Sequence, residues 1–409
     1  MLGSKTLALA AGLFTAALIN RSLGPSLRGI YAEMQTWTGL FVVLFGFSMD
    51  TVIYHFANKA LYEADTKSKL VTVFFLTLVY GLIGVVALTS FVLIWPDSVS
   101  SETAEYIWFL DALLISTIVV SNLIVFLQAM GHLKYSAMIS LVQGVFNVAL
   151  IGYAYWALSI DIQVILITLL IIQGLTLLML IAKFGKENVL KGQFLRGLAK
   201  DIVAAGAKQH LATIATFVYT KVNQLILFKY CGDSETGMFS VSLSAAFYLM
   251  FVPMTFQTVL YPRVIHDRDD YEVTIRSLRL GFYTWGGLVF LMTFFAKPIL
   301  LIYGGQEFLP AVTSFRILMI ATWLLPLSSL VAPYCVKKGA FYAMTVTAVF
   351  LGLINVALNL YLIPDLLGKG AALATASTCM IGFVISLFLL GYLSKRNPLE
   401  FIKLRVFSK

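Results

Sequence analysis

Among the ionisable side chains inside stretches otherwise apolar enough to cross a bilayer are Asp50 and Asp111 in the first half of the chain and Lys208, Lys221, Lys297 and Arg316 in the second. A charge at membrane depth is costly, so each one either serves a function or reaches back to the interface along a flexible stem. Asp50 lies about one turn from the middle of its stretch. A carboxylate there holds a proton or pairs with a cation, which is the chemistry of H+ or Na+ coupling; the alternative is a structural pairing with a neighbour such as Tyr54. Asp111 shares a helical face with Asn122 but lies nearer a helix end, which makes it the second ion-coupling candidate. His210, Thr213, Phe217, Lys221 and Gln224 follow an i, i+3, i+7, i+11, i+14 spacing and so form one mostly polar stripe. That stripe faces either a water-filled cavity or another helix. Lys208, Lys297 and Arg316 lie within two turns of a helix end, where snorkelling accounts for them equally well. Arg21 sits at an interface, where it would anchor the first helix.

The elements that position these groups are set by composition. Of 409 residues 60% are hydrophobic and 12% charged, and the mean hydropathy is +0.90, which describes an all-α polytopic membrane protein. Apolar runs near 4–20, 37–56, 70–95, 106–130, 136–158, 160–182, 201–228, 237–262, 280–303, 311–336, 342–363 and 371–394 give twelve transmembrane helices. They form two sets of six, because the sequence repeats itself at an offset of 208 residues: GVFNVALIGY (144–153) returns as GLINVALNLY (352–361), LGPSLRGIY (23–31) pairs with CGDSETGMF (231–239), and Gly131 falls on Gly339. An even number of spans per repeat places the pseudo-two-fold axis along the membrane normal, with substrate expected to cross where the two bundles meet. The expected organisation is a lobe over 1–182, a cytoplasmic interfacial linker over 183–200, a second lobe over 201–394 and a basic cytoplasmic tail over 395–409. Alternate loops hold 21 and 4 basic residues, which places both termini in the cytoplasm. The net charge of +9 follows from this asymmetry and from attraction to anionic lipid, and gives no argument for nucleic acid.

The linker carries Leu190, Phe194 and Leu198 at every fourth position among five basic residues, which fits an interfacial helix or a solvated basic loop. Lys5 followed by a short apolar stretch has the look of a signal peptide. Its counterpart in the repeat, however, is a true span, so the segment is expected to be retained and to form a shortened first helix. Three cysteines and four scattered histidines offer neither a disulfide framework nor a metal site, and no nucleophile elbow, Walker loop or HExxH pair is present. No cofactor is expected, and no enzymatic activity.

The stretch LLIYGGQEFLPAVTSFRIL, then KKGAF, then INVALNLYLIPDLLGKGAALATASTCMIGF resembles the C-terminal half of bacterial polysaccharide flippases of the Wzx type, in the multidrug/oligosaccharidyl-lipid/polysaccharide exporter superfamily. INRSLGPSLRGIY resembles the family's N-terminal element, with Arg21 at its arginine. VNQLILFKYCGDSETGMFSVS resembles its seventh-helix element, with Asn223 where aspartate is common. The resemblance implies translocation of a polyprenyl-diphosphate-linked oligosaccharide from the cytoplasmic to the outer leaflet of the bacterial inner membrane by alternating access. The cargo, membrane lipids and other polysaccharide-assembly membrane proteins would be the partners. Substrate-binding candidates are Lys221, His210, Gln224, Arg21, Lys208 and Arg316; ion-coupling candidates are Asp50 and Asp111. A cation-coupled multidrug antiporter shares the architecture but is expected to have an acidic, aromatic cavity. A membrane-embedded glycan polymerase or ligase is disfavoured by the short outer loops and the repeat, and a lipid II flippase is expected to carry two further helices.

Overall fold

The repeat is written into the backbone at its turns. Gly131 and Gly339, one repeat length apart, take φ of 82° and 72°, a region open to glycine because it lacks Cβ. Each closes the same helix terminus. His132 N–H donates to Leu127 O and Gly131 N–H to Gln128 O, while Ala340 N–H donates to Cys335 O and Gly339 N–H to Val336 O, all between 2.9 and 3.1 Å. This is the Schellman pattern, which satisfies the last carbonyls of the helix. Gly24 and Gly232, also one repeat apart, take φ of 65° and 79° and kink the two helices that contain them.

The computed structural model describes residues 2–58, 66–185, 192–250, 253, 264 and 270–403. Its helices are α1 (Leu2–Gly46), α2 (Met49–Asn58), α3 (Thr66–Ile94), α4 (Ser101–Glu105), α5 (Ile107–Ala129), α6 (Leu133–Ala157), α7 (Ile162–Gly185) and α8 (Arg196–Leu249). They continue as α9 (Asp270–Leu280), α10 (Gly286–Phe294), α11 (Ala296–Tyr303), α12 (Val312–Lys337) and α13 (Phe341–Ser394). Helices α1, α8 and α13 each run two spans together across a kink, at Gly24, Gly232 and Leu367. Cut at those points, and with α1 continued into α2 and α9 into α10, the described residues give twelve helical segments, the eighth of them followed as far as Leu249.

Two compact units divide the chain, residues 1–217 and 218–409; the division falls inside α8. In the first, α5 buries Val119, Leu123 and Phe126 in one cluster with Met49, Ile53, Leu70 and Leu180. Burial of whole leucine-sized side chains in such a cluster is worth roughly 1.5–3 kcal/mol each against water, and packing contacts take over that role in lipid. In the second unit Tyr334, Leu327 and Val331 of α12 pack on Ile275 and Leu278 of α9 and on Leu387 and Leu390 of α13. Phe401, on the short turn Pro398–Ile402, completes that core.

Two local expectations are corrected. The second span, expected to be continuous over 37–56, breaks at Phe47 and Ser48. The ninth passes through a π-helical turn at Gly281–Trp285 and bends by 73° before α11. Of the expected linker 183–200, residues 183–185 end α7, residues 196–200 begin α8, and residues 192–195 are the non-helical part among the described residues. Residues 192–195 run as an extended strap pinned to α3, Gln193 N–H donating to Ser68 Oγ and Leu195 N–H to Thr72 Oγ1, both at 2.9 Å. Phe194 packs edge-on against Phe75, and Leu198 is buried at the start of α8. Leu190 lies outside the described residues.

Candidate functional site

The break in the second span creates the site of the first unit. Phe47 and Ser48 both adopt left-handed φ, 51° and 50°, a conformation costing on the order of 1–3 kcal/mol per non-glycine residue and found where a structure over-determines it. What over-determines it here is α8. Gly206 approaches so closely that a Cβ on it would lie 2.6 Å from the Phe47 carbonyl oxygen. The His210 ring packs 4.7 Å from the Phe47 ring. Ser48 donates to Thr213 Oγ1 at 2.8 Å, with His210 Nδ1 3.5 Å from the same hydroxyl. Thr51 Oγ1 donates to the Ser48 carbonyl at 2.9 Å. Backbone groups released by the break are thus met by side chains, as a membrane interior requires.

A cavity of about 100 Å³ opens at this point, with Ser48, Asp50, Ser121, Asn122 and Thr213 as its polar lining and Val42, Val43, Gly46 and Ile118 completing the wall. Asp50 is exposed, and one of its carboxylate oxygens accepts the Thr51 N–H at 2.9 Å. Met49 and Ile53, its neighbours on the helix, are buried in the core, which fixes the rotation that presents Asp50 elsewhere. Asn122 spends its amide N–H on the Ile118 carbonyl at 2.9 Å and leaves a buried Oδ1 with no partner among the described residues. The donors available to a guest are therefore oxygens: one carboxylate, one amide, three hydroxyls. That set suits a proton or a hard monovalent cation, not a transition metal. No group of three His, Cys, Asp or Glu that could hold a metal occurs among the described residues.

The remaining candidates are distributed as follows. Asp111 is buried and accepts from Thr89 Oγ1 at 2.5 Å; it does not line the Asp50 cavity, although Asn122 on its own helix does. The polar stripe of α8 crosses the division between units. His210 and Thr213 serve the break, Phe217 packs over Gly39, and Lys221, in the second unit, holds its ammonium 5.4 Å from the Phe247 ring centroid. Gln224 is buried. Asn223, where the resembled family commonly has aspartate, is fully buried and donates to Thr375 Oγ1 at 3.0 Å. Beside it Asn355 donates to Thr378 Oγ1 at 3.1 Å and Asn359 donates to Asn355 Oδ1 at 2.8 Å. This seam is neutral throughout. Lys208, Lys297, Arg316 and Arg21 are exposed. The side chain of Tyr54 lies outside the described residues.

Among the buried charges that escaped the sequence reading are Arg28 and Glu33. Arg28 donates from Nε to Asn20 Oδ1 at 2.9 Å and lies 5.3 Å from the Tyr31 ring, inside the LGPSLRGIY element. Glu33 is 1% exposed and accepts from Ser100 N–H, Ser100 Oγ and Thr103 Oγ1. It thereby fastens the loop between α3 and α4 to α1. Their signal was present as a Ser-x-x-Thr cap in that loop and as charges close to a glycine kink.

The family described as polysaccharide biosynthesis protein matches residues 2–266. The chain belongs to that family. Among solved structures it is similar to an inward-facing multidrug resistance MATE transporter of the MOP superfamily, with a TM-score of 0.76 at 13% identity over 95% of this chain and 96% of that one. It is similar also to the lipid II flippase MurJ, with a TM-score of 0.68 at 16% identity over 99% and 92% of the two chains. A MOP-superfamily transporter from Pyrococcus furiosus gives a TM-score of 0.68 at 14% identity over 96% and 95%. No curated protein sequence matches. At these identities the neighbours show the fold, and the family match over residues 2–266 shows the family.

Proposed function

We propose that the protein flips a polyprenyl-diphosphate-linked oligosaccharide from the cytoplasmic to the outer leaflet of a bacterial inner membrane, with both termini cytoplasmic, by cation-coupled alternating access. The family match over residues 2–266 supports the polysaccharide assignment. The observation that carries the mechanism is the exposed carboxylate of Asp50 on a cavity at a broken helix, ringed by oxygen donors. Discontinuous helices are where membrane transporters place ions, because freed backbone groups and the helix ends supply partial charge.

In this reading Asp50 takes up a proton or Na+ from one side and releases it to the other. His210 and Thr213 report that occupancy to α8 through Ser48. Lys221 on the same helix meets the diphosphate, with Gln224 beside it, since an ammonium on a flexible stem follows a phosphate that changes position. Exposed Lys208, Arg316 and Arg21 act at the membrane surface.

The test is a fluorescent lipid-linked oligosaccharide in proteoliposomes under imposed proton or sodium gradients. Asp50→Asn should abolish the gradient-driven component while the purified variant still binds the lipid. Gradient-driven flipping at wild-type rates in Asp50→Asn would remove the coupling assignment. Gradient-driven efflux of cationic dyes with no flipping would replace the flippase by an antiporter.

A further inference from the structure

A cavity of about 330 Å³ in the first unit contains no charged side chain. Its polar lining is Tyr31, Gln35, Thr38, Thr117, Gln143 and Gln173; the rest of the wall is apolar apart from Gly39. Each glutamine gives one amide hydrogen to a neighbour: Gln35 to the Tyr31 hydroxyl at 2.9 Å, Gln143 to Thr176 Oγ1 at 2.9 Å and Gln173 to Thr117 Oγ1 at 3.1 Å. The Thr38 hydroxyl is buried with no partner among the described residues.

Interhelical hydrogen bonds of this kind are a common glue in membrane bundles, so a purely structural role has to be tested against the rest of the fold. The repeat supplies that test. One repeat length on, the six polar positions are Phe239, Leu243, Ala246, Leu325, Leu351 and Ile381. Every polar group has become apolar, and Phe239, Leu243 and Ala246 are about 1% exposed in the second unit's interior. The same backbone scaffold is therefore built without amides or hydroxyls at these places. Their presence in the first unit answers some other demand.

We infer that this cavity is a subsite for a neutral sugar ring of the lipid-linked glycan. The inference rests on the flippase reading above and deepens it. An uncharged cavity offers a diphosphate or a cationic drug no counter-charge, and burying an unpaired charge is prohibitive. A wholly apolar guest would leave buried amides and hydroxyls unpaired. A pyranose meets both conditions. Its hydroxyls donate and accept, as amide and hydroxyl side chains do, while its C–H faces lie against an apolar wall. The volume is at the lower end of small-molecule sites and fits one or two sugar rings.

The test uses the full-length protein in lipid nanodiscs, with undecaprenyl diphosphate and undecaprenyl diphosphate bearing N-acetylglucosamine as probes. Gln35→Leu, Gln143→Leu and Gln173→Ile install what the second unit carries. Each should weaken binding of the glycosylated lipid about tenfold and leave the bare lipid unchanged. Leu169→Cys, on the apolar wall in a background free of Cys231, Cys335 and Cys379, should be protected from alkylation by the glycosylated lipid alone. Unaltered binding of both lipids by the variants, or an alkylation rate the sugar does not slow, would overturn the subsite. Equal affinity of the wild type for both lipids would overturn it and leave diphosphate recognition standing. Binding of neither would remove the flippase reading and the subsite together.

Discussion

Gly206→Ala sets two opposed effects against each other, and the structure decides between them. Alanine is favoured over glycine inside a helix by about 0.8–1.0 kcal/mol, so a tolerant site would gain stability. At Gly206 the new methyl would lie 2.6 Å from the Phe47 carbonyl oxygen and 3.3 Å from its ring. The backbone atom cannot rotate aside, so α8 or the break must move by about half an ångström or more to restore van der Waals separation. Overpacking of this kind costs typically about 1–3 kcal/mol. The expected balance is a net loss of about 0–2 kcal/mol, together with displacement of His210 and Thr213 from the break. Gly152→Ala is the control, because that helical glycine has nothing within 4 Å of an added Cβ. Thermal unfolding of both variants in detergent, alongside flipping in proteoliposomes, should show Gly152→Ala at or above wild type. Gly206→Ala should be less stable than Gly152→Ala and impaired in transport. If Gly206→Ala matches Gly152→Ala in both assays, α8 does not hold the break in place, and the route from Asp50 through Ser48 to the stripe is refuted.

Phe401→Ala should lower the unfolding midpoint by the equivalent of about 3–5 kcal/mol, the range for a buried phenylalanine. Its ring is 1% exposed and packs 5.3 Å from Phe282, beside the π-turn, and 6.1 Å from Phe383; an unchanged midpoint would detach the Pro398–Ile402 turn from the core. Asp270 gives a pH-dependent test outside the spans. Burial pushes its carboxyl up, but hydrogen bonds from Lys338 and Lys337 and their charges outweigh this and hold it below the usual carboxylate range. A depressed native pKa adds stability that is full above the unfolded value near 3.9 and is lost as pH falls through the native value. Wild type should therefore exceed Asp270→Asn in stability at neutral pH and lose that margin only below about pH 4; a margin lost between pH 7 and 5 would contradict the ion pairs.

What was legible in the sequence is what the bilayer and the repeat impose. A span must be apolar over its length, so its position can be read from composition, and a turn that needs positive φ must keep its glycine, so Gly131 and Gly339 marked the repeat before any coordinates. The break at Phe47 and Ser48 was not legible, because neither residue favours left-handed φ and the cause lies more than 150 residues away, in the missing side chain of Gly206. The α8 stripe lies on one helix, yet its division among a helix break, a glycine contact at Gly39 and a cation over Phe247 follows from neighbours that periodicity does not name. Neutral polar groups were the hardest to see, since attention to charge favours Asp50 and Lys221 over Gln35, Gln143 and Gln173. Those glutamines become informative only once the repeat register shows leucine and isoleucine in their places. In a chain built twice from one scaffold, the second copy states what packing alone requires, and the positions where the first copy departs from it are where function has been added.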